Sequence, residues 1–85
     1  MKQFTYVVKD PEGIHARPAG VVVAKAKEFK SEIIIDKDGK QADAKKIFKL
    51  MGLAVKNGNM ITVTVEGEDE DVAAAEMEAI LNEKL

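Results

Sequence analysis

The only histidine and the only arginine of this chain lie two positions apart, in Gly13-Ile14-His15-Ala16-Arg17-Pro18-Ala19-Gly20. Twelve lysines carry the remaining positive charge. The single planar guanidinium therefore stands beside the only side chain whose ordinary pKa lies near neutrality. Such a pair suits phosphate chemistry. A neutral imidazole offers a lone pair to an electrophilic phosphorus, and a guanidinium donates parallel hydrogen bonds to phosphoryl oxygens. A turn histidine with an unrelated surface arginine is the competing account, and it leaves their adjacency unexplained. Acid–base hydrolysis fits poorly, because the sole serine, Ser31, falls beyond the helix that follows His15. Asp10 and Glu12 are candidates to orient the ring, although spacing alone does not bring them to it.

The elements that must hold this pair are legible from periodicity. Residues 2–8 alternate, with Phe4, Tyr6 and Val8 opposite Gln3, Thr5 and Val7, which is a strand with one buried face. Asp10-Pro11-Glu12-Gly13 stops it. From Ala16 to Phe29, the residues Ala19, Val22, Val23, Ala26 and Phe29 recur at helical spacing, with Pro18 in the first turn where a missing N–H is harmless. His15 thus falls at the cap of a helix amino terminus. There the free N–H groups of Ala16 and Arg17 and the positive end of the helix dipole favour a bound dianion and disfavour an imidazolium.

Glu32 to Asp36 reads as a strand, Lys37-Asp38-Gly39-Lys40 as a hairpin turn, and Gln41-Ala42 as a short return. Lys45 to Val55 reads as a short helix with Ile47, Leu50, Met51 and Ala54 inward, and Gly52 limits its length. Met60 to Glu66 alternates again, with Ile61, Val63 and Val65 opposite Thr62, Thr64 and Glu66. Val72 to Leu85 carries the stripe Ala73, Ala74, Met77, Ile80 and Leu81, and the acidic run Glu68 to Asp71 before it reads as a solvated helix start.

The order βαββαβα predicts an α+β open-faced β-sandwich within one domain, residues 1–85. Three helices cover one face of a four-stranded antiparallel sheet, and Gln3, Thr5, Thr62 and Thr64 form the wet face. A right-handed crossover through the first helix leaves a slot between strands one and two for strand four.

Composition narrows the function. With no cysteine and one histidine, neither a disulfide, thiol chemistry nor the usual zinc ligand sets are expected, and no structural metal is predicted. The net charge of −2 and the threonines of the open face argue against nucleic acid as partner. Runs such as Ile33-Ile34-Ile35 are too short for membrane insertion, so a cytoplasmic location is the expectation.

Gly13-Ile14-His15-Ala16-Arg17-Pro18-Ala19 resembles the active-site signature of HPr, the histidine-containing phosphocarrier family of the bacterial sugar phosphotransferase system. Length, element order, the Asp38-Gly39 hairpin and the acidic start of the last helix extend the resemblance over essentially the whole chain. It implies that His15 accepts a phosphoryl group from phospho-enzyme I, through the ring nitrogen nearer the backbone, and passes it to a sugar-specific enzyme IIA. It implies that Arg17 contacts that group. A carrier of this kind needs no cofactor, is not an enzyme in its own right, and is most simply a monomer. An HPr-like regulatory adaptor and a carrier for a specialised, nitrogen-type branch are the alternatives, and family adaptors lack the histidine that this chain keeps.

The short second helix carries Ile47, Phe48, Leu50 and Met51, more apolar groups than so short an element can bury. By resemblance, Ile47, Phe48 and Met51 are the docking candidates, ringed by Lys45, Lys46 and Lys49, while Ile47 and Leu50 serve equally well as core. Many HPr proteins of Gram-positive bacteria carry a regulatory serine where this chain has Lys46, and no hydroxyl residue occurs between Ser31 and Thr62. Serine-type regulation is therefore in doubt here. Lysine caps a helix poorly, so an earlier start capped by Asp43 is expected.

Overall fold

In a computed structural model describing residues 1–85, strands β1 (Lys2–Val7), β2 (Glu32–Lys37), β3 (Lys40–Asp43) and β4 (Met60–Glu66) form one antiparallel sheet in the order β1-β4-β2-β3. β4 fills the slot that the first crossover leaves open. Its inward residues pair with inward residues on both sides, Val63 with Phe4 and Ile35, and Val65 with Lys2 and Ile33. Because a strand shows alternate residues to opposite faces, the same register puts Thr5 beside Thr62 and Gln3 beside Thr64 on the open face. The Gln3 amide donates to the Thr64 hydroxyl at 3.1 Å.

Helices α1 (Ala16–Ala26), α2 (Ile47–Met51) and α3 (Glu70–Lys84) supply the other layer. The core joins Ile33, Ile35, Ile61, Val63 and Val65 of the sheet to Ala19, Val22, Val23 and Ala26 of α1, Leu50 of α2, and Ala73, Met77 and Leu81 of α3. The β2–β3 hairpin turns through Asp38 at φ 54° and Gly39 at φ 87°, the double left-handed conformation that matches the twist of paired strands.

Several boundaries differ from the sequence expectation. β1 ends at Val7, and buried Val8 continues inward just beyond it. α1 ends at Ala26 rather than Phe29, although Phe29 still packs on the core from the following turn. There the Lys45 ammonium donates to the Phe29 carbonyl at 2.8 Å. α3 begins two residues before Val72, at Glu70.

The acidic run is not merely solvated. The Asp69 carboxylate accepts from the N–H groups of Lys30 (2.8 Å) and Ser31 (2.9 Å) and from the buried Ser31 hydroxyl. The Ser31 hydroxyl first, and the Lys30 N–H second, hold the Asp69 carboxyl below its ordinary range.

The largest departure is α2. It spans only Ile47–Met51, not Lys45 to Val55, and Asp43 does not cap it. The Asp43 carboxylate instead accepts the Lys45 N–H at 2.8 Å, bracing the turn that precedes the helix. After Gly52 the chain reverses at Ala54, φ 53°, so Ala54 is exposed rather than inward while Leu53 and Val55 are buried. The Lys37 ammonium donates to the carbonyls of Leu53 and Ala54 at 3.2 and 3.1 Å, satisfying carbonyls of the reversal itself. A left-handed alanine carries a steric cost that glycine lacks. Ala54→Gly is therefore expected to raise stability by about 0.5–1 kcal/mol after the greater chain entropy of glycine is counted. The urea unfolding midpoint measures it, and a lowered midpoint would show that the alanine conformation costs nothing here.

Candidate functional site

The reversal at Ala54 matters because it carries Val55 beneath the loop that holds His15. Ile14, itself buried, donates its N–H to the Val55 carbonyl at 3.0 Å. Gly13 lies so close to this segment that a Cβ there would stand 2.2 Å from the Val55 oxygen and 2.6 Å from Lys56 Cα, and its φ of 70° also disfavours any side chain. The loop is thus pinned on both sides of the Gly13-Ile14 peptide, immediately before the functional pair.

His15 occupies the N-cap of α1 with extended backbone (φ −110°, ψ −176°), and its carbonyl accepts the Ala19 N–H at 2.9 Å. Its side chain makes no capping hydrogen bond. Pro18 has no N–H, and those of Ala16 and Arg17 are not used by any backbone or side-chain acceptor, so both remain available as donors beside the ring.

Two carboxylates approach the imidazole on one side. Nε2 lies 3.7 Å from Asp10 Oδ1 and 3.5 Å from Glu12 Oε2, and the ring is about one-third exposed at 37%. Asp10 also accepts the Glu12 N–H at 2.8 Å, which folds the loop so that both acids reach the same nitrogen. At these distances the contacts are electrostatic rather than hydrogen bonds, and they lie on the Nε2 side of the ring. In a neutral imidazole whose Nε2 carries the hydrogen, Nδ1 keeps the lone pair.

Asp10, His15, Arg17, Pro18, Val21 and Lys84 line an open cleft of about 240 Å³. The exposed Arg17 guanidinium takes part in none of the ion pairs of the molecule, so its donors are free for an anion in the cleft. A nucleophilic nitrogen, free backbone donors and an uncommitted guanidinium can together receive and steady a phosphoryl group.

Next to this cleft, α2 presents Phe48 86% exposed, with Ile47 and Met51 half-buried and Leu50 fully in the core. Ile47 Cδ1 comes within 4.0 Å of the position a Cβ would take at Gly20, so the patch is continuous with the helix that His15 caps. Lys46 and Lys49 are exposed on its flank, whereas Lys45, expected in the same ring of charge, is committed to the Phe29 carbonyl. Val21 and Lys84 are cleft residues that sequence reasoning did not name, and the charged one is Lys84. It lies at the far end of the chain, and only the docking of α3 brings it to His15. Its one sequence signal, a cation in a last helical turn, has an ordinary explanation in the dipole.

Comparison with known proteins shows the family to which this fold belongs. The family profile described as "PTS HPr component phosphorylation site" matches residues 2–83. The phosphocarrier protein HPr of Lysinibacillus sphaericus is 48% identical over 83 residues, covering 98% of this chain and 94% of the relative. The HPr-like protein Crh of Bacillus subtilis is 39% identical over 85 residues, all of both chains. Among solved structures, an HPr from Thermoanaerobacter tengcongensis superposes with a TM-score of 0.94 at 38% identity, covering 99% of this chain and 94% of that one.

Proposed function

This chain belongs to the HPr family of phosphotransferase-system phosphocarriers, and on that premise we propose that His15 Nδ1 is its phosphoryl acceptor, with Arg17 and the N–H groups of Ala16 and Arg17 steadying the group. The observation that carries the assignment is the convergence of Asp10 and Glu12 on Nε2, which leaves Nδ1 as the nucleophile at a helix start. In the transfer, the Nδ1 lone pair forms a bond to phosphorus as the donor's P–N bond breaks. The leaving nitrogen keeps that electron pair, and the hydrogen on Nε2 is not transferred. The acceptor then delivers the group by the same step in reverse, through a loose transition state in which positioning and charge do most of the catalysis.

The donor is enzyme I and the recipient a sugar-specific enzyme IIA. Residues 1–85 act as one phosphocarrier domain in the cytoplasm, with no cofactor or metal and no catalytic turnover of its own. No helix is long and apolar enough to cross a membrane. The carrier acts as a monomer in this reading. The similarity to Crh keeps an adaptor role in view, but the histidine at position 15 favours the carrier.

Incubation with phosphoenolpyruvate, magnesium and a catalytic amount of enzyme I is expected to give an acid-labile 31P signal of Nδ1-linked phosphohistidine. Its absence from a folded sample, with enzyme I shown to be active, would overturn the carrier assignment.

Phe48, Ile47 and Met51 form the docking patch in this reading, with Phe48 as its anchor. Phe48→Ala is expected to lower kcat/KM for transfer from enzyme I by the equivalent of about 1–2 kcal/mol, because a buried aromatic anchor contributes that much to an interface. Its unfolding midpoint should hardly move, since the ring is exposed in the free protein. An unchanged kcat/KM would remove Phe48 from the interface.

A further inference from the structure

We propose that Lys84 is a second cationic contact for the phosphoryl group, reaching it from α3 while Arg17 reaches it from α1; the inference rests on His15 being the acceptor. α3 ends at the site rather than in solvent. The Leu85 carbonyl accepts the N–H groups of Lys9 (2.6 Å) and Asp10 (2.8 Å), and the Leu85 side chain is buried. The helix end is thereby tied to the loop whose Asp10 carboxylate faces His15. Lys84, one residue earlier, lines the same cleft as His15 and Arg17.

Other lysines near the core are committed elsewhere. Lys25 pairs with Glu76 at 2.7 Å, and Lys37 and Lys45 donate to backbone carbonyls of the turns after α2 and α1. Lys84 has only its exposed neighbour Glu83, at 3.5 Å, which is a weak competitor.

The charge of the cleft makes a second cation useful. Of the charged residues that line the cleft, Asp10 and Arg17 cancel, and Glu12 adds a further negative charge on the Nε2 side of the ring. A phosphoryl dianion would find no net positive charge in the lining if Arg17 acted alone. Lys84 makes the lining net positive, with Glu83 pointing more to solvent at 66% exposure. Removing Lys84 should make the phosphoryl oxygens hold protons more tightly, because a nearby cation favours the dianion.

The test uses the full chain and phosphoramidate, a small donor that needs no protein partner. The imidazole nitrogen bonds to phosphorus, the donor P–N bond breaks, and ammonia leaves with that electron pair. The 31P shift of the phosphohistidine is then followed against pH in the natural sequence, Lys84→Gln and Lys84→Arg. Lys84→Gln is expected to raise proton affinity at the phosphohistidine by about threefold, the effect of one partly exposed charge contact. Lys84→Arg should keep the natural midpoint. An identical midpoint in Lys84→Gln and the natural chain would overturn the role of Lys84 while leaving His15 as acceptor. A failure of the natural chain to form any phosphohistidine would overturn both.

Discussion

His15→Ala is expected to take up no phosphoryl group from phospho-enzyme I while folding as the natural chain does. The loss should be complete rather than partial. No other histidine exists, no cysteine is present, and the one serine is buried against Asp69, far along the chain from the cleft. Replacing an N-cap residue often costs a helix about 1 kcal/mol, but that cost comes from a side-chain bond to the free N–H groups. His15 makes no such bond, and its carbonyl, which does receive the Ala19 N–H, is backbone and survives the substitution. Stability should therefore change by no more than about 0.5 kcal/mol. Phosphorus NMR and thermal unfolding of the same sample separate the two effects. Retained phosphoryl uptake would remove the assigned site, and a collapsed fold would mean that the ring supports structure as well as chemistry.

Gly13→Ala is expected to damage both. The added Cβ would stand 2.2 Å from the Val55 oxygen and 2.6 Å from Lys56 Cα, both of them backbone, so no side chain can rotate away to make room. The loop must lift. Lifting it breaks the 3.0 Å bond from the Ile14 N–H to Val55 and draws the buried Ile14 side chain toward water. The φ of 70° adds about 1–2 kcal/mol for any residue other than glycine. A lost, partly buried backbone bond adds about 1–3 kcal/mol. A total of about 2–5 kcal/mol is a large share of the stability of a domain this small. His15 is two residues further on, so surviving folded protein should also accept phosphate more slowly. Urea unfolding, with transfer kinetics on the folded fraction, measures both. A stability loss below about 1 kcal/mol would show that the loop yields easily and does not pin the histidine.

The phosphocarrier reading began from residue types, because a solitary His–Arg pair before a helical pattern points to few chemistries, and the resemblance over the whole chain carried it to the family. The strands were legible for a related reason. Alternation is a local property, and a strand with one wet face must alternate, so Phe4-Tyr6 and Ile61-Val63-Val65 declare their inward side without reference to any partner. The order β1-β4-β2-β3 followed from the handedness of the first crossover. These features depend on spacing within a segment or on general chain chirality.

Other features depend on which segments meet, and for those only the tertiary structure decides. The helical pattern from Lys45 to Val55 suggested Ala54 as an inward residue, yet the chain stops at Met51 and reverses through Ala54, because burying Leu53 and Val55 together outweighs continuing a helix past Gly52. That same reversal puts the Val55 carbonyl under Gly13, a contact between distant segments with no local signature. Asp10 and Glu12 were visible as acids near His15, but their convergence on Nε2 is a matter of how the loop closes. Lys84 reaches the cleft because α3 lies along the sheet until its last carbonyl meets the N–H groups of Lys9 and Asp10. Sequence determined the elements and pointed to the proposed acceptor they carry, since both are written in neighbouring residues. The tertiary structure decided which nitrogen the carboxylates face and which distant cation shares the cleft, since each of those is set by loop closure and helix docking rather than by any single stretch of chain.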